Sequence, residues 1–153
     1  KKKVLRDDYT GKIESVNTDL IHLLDQAGYV LTVCPPAISH ERQAVNVDGD
    51  RAAARIGEAV KADDLVILSN VPGLLEKIDD PTTLIKDIKL SEINQYFEYA
   101  KGRMKRKLLA AKEALLGGVT RVTLGDARVD SPITHALSGN GTVITGRDDS
   151  SRD

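Results

Sequence analysis

Three clusters in the sequence hold residue types that could do chemistry together. The first is Asn46-Val47-Asp48-Gly49-Asp50, an amide and two carboxylates ahead of an Ala-rich run. Such a group can orient a substrate and position lysines. An ordinary helix cap in a turn is the plainer reading, and spacing alone favours it. The second is Lys101-Gly102-Arg103-Met104-Lys105-Arg106-Lys107, mostly basic and opening a helical pattern. Lysines at a helix N-terminus make a natural phosphate site. A solvated basic face accounts for the same run. Lys107 lies about 60° from the centre of the apolar stripe on that helix, so its stem can pack while its ammonium reaches a cleft. Arg106 points nearly opposite, into solvent. The third cluster is Ser69-Asn70-Val71-Pro72-Gly73-Leu74-Leu75, a loop directly after an apolar run. It could hold a ribose and base, or simply end a strand.

Other chemistries find little support. No G-x-x-x-x-G-K-[ST] occurs, and Gly139-Asn140-Gly141 is an unsupported pair rather than a dinucleotide fingerprint. His22, His40 and His135 are isolated, with no metal-ligand spacing, so no zinc site is expected. Cys34 before Pro35-Pro36 reads as a buried strand end rather than a nucleophile. Ser131 and Ser138 lack a nucleophile elbow. Charge is balanced, with 22 basic and 23 acidic residues, and aromatics make up 3%. Neither nucleic acid nor an anionic membrane is an expected partner. No apolar run approaches the roughly 18 residues of a membrane span. One cysteine rules out an internal disulfide and suits a reducing, cytoplasmic compartment.

The elements that must position these clusters alternate. Residues 1–17 read as an extended segment around a turn at 8–11. Asn17 or Thr18 should cap a helix from Asp19 to Gln26, stopped by Gly28. Tyr29 to Cys34 reads as a strand buried on both faces. Asp48 and Asp50 should stand at the N-terminus of a helix running to Val60. Leu65 to Ser69 reads as a second buried strand, Ile78 to Leu90 as helix-turn, and Gly102 to Leu116 as a longer helix. In that longer helix Met104, Leu108, Ala111 and Leu115 form one stripe. Val119 to Leu124 and Gly141 to Thr145 are further strands, and residues 146–153 a polar tail. This alternation predicts an α/β fold, a mostly parallel sheet with helices on both faces, in one domain over 1–153. Ligands of such sheets bind at the carboxyl ends of the strands, which singles out the loops at 35–39, 70–74 and 125–128.

In their joint order, Gly11–Asn17, Asn46–Ala53, Leu65–Leu75, Gly102–Val122 and Ala136–Ile144 resemble the C-terminal, ATP-binding portion of the amino acid kinase family. The likeness is to acetylglutamate kinase and to relatives acting on carrier-linked substrates in archaeal-type lysine and arginine biosynthesis. The basic GRMKRK element and the ALSGNGTVI ending lean toward the carrier-linked group. The resemblance implies ATP-dependent phosphorylation of a side-chain carboxylate to an acyl phosphate, with Mg²⁺ carried on ATP. The substrate implied is 2-aminoadipate or glutamate on a small acidic carrier protein, the alternative being acetylglutamate. In these terms Asn46 helps bind the amino-acid substrate, Asp50 organises the catalytic lysines, and Lys107 contacts the transferring phosphate. Ser69, Asn70, Val71, Pro72, Gly73 and Leu74 lie against the nucleotide, with Gly102 and Met104.

The resemblance starts midway through the family pattern. A first-strand lysine, glycine-rich phosphate turns and most of the acyl-substrate pocket have no counterpart here. The expectation is a nucleotide scaffold that turns over poorly or not at all alone, exposes apolar surface normally covered, and is a homodimer when full-length. A non-catalytic nucleotide-binding module is the competing class.

Overall fold

The structure is a computed structural model that describes residues 11–146. Most of the expected turn at 8–11 and of the polar tail lies outside those residues. Residues 11–18 form no regular element. Helix α1 (Asp19–Gln26) follows, and Asn17 rather than Thr18 supplies the side-chain cap, its Oδ1 accepting from the Asp19 amide at 3.0 Å. The helix ends with the Gly28 amide on the Asp25 carbonyl and the Tyr29 amide on the Leu24 carbonyl, a paired closure of its last turn.

The expected strand over Tyr29 to Cys34 does not form. Val30 is 97% exposed, Tyr29 and Val33 are also exposed, and so is Cys34, which is therefore no buried strand end. A β-branched apolar run becomes a strand only beside a partner edge, and no described residue pairs with it. A small hairpin stands just beyond instead, β1 (Ala37–Ile38) antiparallel to β2 (Ala44–Val45).

Helix α2 (Gly49–Val60) begins where the carboxylates predict. Asp48 is its N-cap, accepting from the Asp50 and Arg51 amides at 3.1 and 3.2 Å. Strand β3 (Asp64–Ser69) comes next. The expected helix-turn over 78–90 resolves into a short 3-10 turn at Pro81–Thr83, the strand β4 (Asp87–Lys89), and a 3-10 stretch over Leu90–Glu98. A three-residue strand with one inward side chain, Ile88, carries no periodicity that a helix reading must yield to. Tertiary pairing with the last strand decides it.

Helix α3 (Arg103–Leu116) leads to β5 (Arg121–Asp126), α4 (Pro132–Leu137) and β6 (Thr142–Thr145). Strand β5 starts two residues later than expected. The amides of Gly117, Gly118 and Val119 are taken by carbonyls of α3, and Val119 is buried beneath the helix end. Helix α4 carries no apolar stripe long enough to announce itself.

The four long-range strands form one sheet in the order β3-β5-β6-β4. Pairs β3–β5 and β4–β6 run parallel, and β5–β6 runs antiparallel. Helices α2 and α3 cover the face carrying Ile67, Val122 and Leu124, forming the core with Leu108, Ala111 and Leu115. Helix α4 lies over the other face at Gly125, where a Cβ would meet that of Ala136 at 3.2 Å. The architecture is thus the α/β layering expected, with parallel pairing predominant. No helix among the described residues is long and apolar enough to cross a membrane.

A nucleotide-sized cleft and its lysine–carboxylate pair

The parallel strands β3 and β5 end side by side. Ser69 is in register with Asp126, and the Ala127 amide bonds the Ser69 carbonyl at 2.7 Å. Beyond Ser69 the chain turns into the loop 70–75, which faces the start of α3 across a cleft of ≈ 600 Å³. That volume suits a nucleotide or a similar small ligand. Seven residues expected at a nucleotide, Ser69, Asn70, Val71, Gly73, Leu74, Met104 and Lys107, line it. Pro72 and Gly102 do not.

The cleft is chemically divided. Leu74, Leu75 and Ile78 give it an apolar wall, joined by Tyr99. Lys101, Arg103 and Lys107 give it a basic end. Helix α3 opens there on Gly102, which has a φ of +54° and supplies no side-chain cap. A glycine takes that backbone shape without strain, and among the first-turn amides that of Met104 is taken by the Lys101 carbonyl at 3.1 Å. The sequence reading missed Tyr99 and Ile78, and noted Leu75 only as the end of the loop cluster and Lys101 and Arg103 only as part of the basic run. Tyr99 is a signal that could have been caught, because an aromatic two residues ahead of a basic run is conspicuous in a chain with few aromatics. Its hydroxyl is held above its ordinary pKa by the Glu98 carboxylate, then by partial desolvation and Glu76.

Lys107 and Asp50 meet across the α2–α3 interface. The ammonium donates to Oδ1 at 2.9 Å and to Oδ2 at 3.2 Å, with the side chains 16% and 26% exposed. Two facts of sequence put them there. The Asp48 cap fixes the start of α2, so Asp50 sits in its first turn. Lys107 is one residue before the buried Leu108, at the stripe's edge. Arg106 is the more exposed, yet its Nη1 approaches Asp48 Oδ2 at 3.5 Å. Both faces of the basic run therefore return to the N-terminus of α2. Asn46 lies outside the cleft; it is exposed, and its carbonyl accepts from the Gly11 amide at 2.8 Å. The structure thus brings Lys107 to Asp50 and to the cleft, and leaves Asn46 apart.

Beside the cleft, Asp126 is clasped by Arg128 through the backbone amide at 2.9 Å and the guanidinium at 2.8 and 2.7 Å. These bonds outweigh desolvation and, with a smaller contribution from His135, lower the Asp126 pKa to about 2. A depressed carboxylate contributes stability fully above its unfolded value of ~3.9, and that contribution is lost as pH falls toward about 2. We expect Arg128→Ala to return the Asp126 titration, followed by carboxyl carbon shifts, toward the ordinary range. Asp126→Asn should flatten the acid side of the stability curve between those values.

Residues 2–126 match the amino acid kinase family. Over 145 residues the chain is 53% identical to the LysW-aminoadipate kinase of Deinococcus radiodurans, covering 95% of this chain and 50% of that protein. The enzyme of the same name from Thermus thermophilus is 51% identical over 146 residues, with 94% and 54% covered. The LysW-aminoadipate/LysW-glutamate kinase of Saccharolobus solfataricus is 37% identical, with 94% and 53% covered. The chain spans about half the length of the curated relatives it matches. Among solved structures, N-acetylglutamate synthase from Neisseria gonorrhoeae, complexed with coenzyme A and L-arginine, superposes with a TM-score of 0.80 at 27% identity, covering 91% of this chain and 33% of that one. Carbamate kinase from Giardia lamblia bound to AMP-PNP shares the fold at a TM-score of 0.59 and 23% identity, over 73% and 37%. By its match over residues 2–126, its sequence relatives and its α/β architecture, the chain belongs to the amino acid kinase family.

Proposed function

We propose that this chain is the nucleotide-binding portion of a kinase that phosphorylates the side-chain carboxylate of 2-aminoadipate or glutamate on a carrier protein. The single observation that carries the reading is Lys107, held by Asp50 at the basic end of a nucleotide-sized cleft. The names of the relatives supply the substrate class.

In this reading the apolar wall, Leu74, Leu75 and Ile78 with Tyr99, receives the base, and Ser69 to Val71 face the ribose. The triphosphate lies toward Lys101, Arg103 and the start of α3. A substrate carboxylate oxygen then bonds to the γ-phosphorus as the bond to the β-bridging oxygen breaks, giving an acyl phosphate and ADP. No base is needed, because a carboxylate is already ionised near neutral pH. Catalysis rests on alignment and on neutralising charge that builds on the transferring group. Lys107 supplies a fixed positive charge, and Asp50 holds its ammonium in one place while leaving a hydrogen free to donate. No group of three or more His, Cys, Asp or Glu side chains that could hold a metal stands among the described residues. Mg²⁺ would come with the triphosphate, supplying further neutralisation there. The basic side chains around Lys101 to Arg106 suit docking of an acidic carrier.

The roles of Asn46, Pro72 and Gly102 rest on the family resemblance rather than on contact with the cleft. In a chain of the relatives' length, the remaining half would complete the substrate pocket, which is where Asn46 would act. The first test is a calorimetric titration of Mg-ATP into the chain. Saturable one-to-one binding is the expected result. Absence of binding by a folded chain would remove the nucleotide reading of this portion on its own.

A further inference from the structure

The loop that forms one wall of the cleft is held at its start by Ser69, whose Oγ donates to the Val71 carbonyl at 3.2 Å and accepts from the Val71 amide at 3.4 Å, and farther along from outside. Thr142, the first residue of β6, is fully buried although polar. Its Oγ1 accepts from the Leu74 amide at 2.8 Å and donates to the Ile85 carbonyl at 2.6 Å. The Ile85 amide in turn bonds the Leu74 carbonyl at 2.9 Å. One hydroxyl therefore closes a ring between the cleft loop, the strand-edge segment before β4, and β6. Space around it is minimal. A Cβ on Gly73 would sit 2.5 Å from Oγ1 and 2.9 Å from the Thr142 amide nitrogen. A Cβ on Gly141 would fall 2.3 Å from the Leu124 carbonyl oxygen and 3.3 Å from that of Pro72. The loop is thus pressed against β6 with no side chain between, and the Leu74 amide, inside this contact, has the hydroxyl as its partner.

From this geometry we propose that Thr142 is a positioning residue for the nucleotide. It touches no ligand, but sets the Val71–Leu75 wall of the cleft from the start of β6, where it pairs with Leu124 of β5. The proposal rests on the nucleotide reading of the cleft. Its physical basis is that a buried amide and carbonyl left without partners must regain them, by moving the loop or admitting water. Removing the hydroxyl while keeping its volume should therefore shift the wall, whereas keeping the hydroxyl and losing only the methyl should not.

The test compares Thr142→Val, Thr142→Ser and, as a control for general loss of core packing, Ile144→Val on the same strand. Mg-ATP affinity is measured by calorimetry, and amide exchange at residues 71–75 by NMR. Thr142→Val should weaken Mg-ATP about tenfold and speed exchange at Leu74 by a similar factor. Thr142→Ser should keep both within about twofold, and Ile144→Val should lower the thermal midpoint without changing affinity. Wild-type affinity and Leu74 protection in Thr142→Val would overturn the proposal, as would a Thr142→Ser variant as weak as Thr142→Val. Should Thr142→Val not fold, Gly73→Ala decides, since its methyl must displace the same contact; wild-type binding by Gly73→Ala would overturn the idea. A wild-type chain that binds no Mg-ATP sinks the nucleotide reading alone, and Leu74 exchange in the variants still judges the hydroxyl.

Discussion

Lys107→Ala weakens Mg-ATP binding by about 10- to 100-fold, the range expected for removing one hydrogen bond to a charged group. In a chain of the relatives' length the same change lowers kcat further, by about 10²- to 10³-fold, because the lost interaction strengthens as charge builds in the transition state. Stability moves much less. The Lys107–Asp50 pair is partly exposed, and pairs of that kind contribute about 1 kcal/mol or less. Asp50→Asn separates holding from binding. It leaves the ammonium present but unfixed, so affinity falls little while transfer falls strongly. Lys107→Arg provides a geometric control, because a planar guanidinium cannot place one point charge where the ammonium sat. Calorimetry and single-turnover acyl-phosphate trapping measure the two effects separately. A Lys107→Ala variant with wild-type affinity and rate would remove Lys107 from the site.

Supplying the other half of a relatives-length chain, fused or in trans, should raise acyl-phosphate formation by at least about 10³-fold over the 153-residue chain. Much of a transfer rate comes from holding both reactants in line, and here only one side of such a site is visible. The same addition should protect the amides of residues 29–33 from exchange. Leu20, Leu23, Tyr29, Val30, Val33 and Ile38 are all exposed within one stretch, a concentration of apolar surface that isolated soluble domains rarely carry. Protection there, together with activity, would support the reading of this run as a strand awaiting a neighbour. Full turnover by the 153-residue chain would overturn it. If the added half restores protection but no transfer, the non-catalytic nucleotide-binding alternative gains.

Local chemistry made a good part of this molecule legible. Helix α2 starts where it does because Asp48 satisfies its first amides, and α3 runs where it does because its apolar positions recur at helical spacing. The all-apolar run at β3 announced a strand, although it lies at the edge of the sheet with only Ile67 fully buried rather than being buried on both faces, and the order of elements announced the layered fold. The carboxylate cluster and the basic run were both visible as candidates. For each, however, a plain cap or a solvated face explained the residues equally well until the fold was known.

What only the tertiary structure decided depends on contacts distant in sequence. Asp50 and Lys107 lie 57 residues apart, and nothing local says that α2 packs on α3 so that they meet. Strand β4 is three residues long and exists because β6 offers it an edge. Thr142 looked like one more polar residue in a terminal strand, yet its hydroxyl holds a loop 68 residues away. The run from Tyr29 to Cys34 shows the converse. Its residues have strong β preference and form no strand, because preference only biases a backbone whose hydrogen bonds must be completed by another segment. Sequence alone thus determined which segments could be helices, strands and charged clusters. The packing of α2 against α3, and of β6 against the cleft loop, determined which of those clusters came together at the cleft.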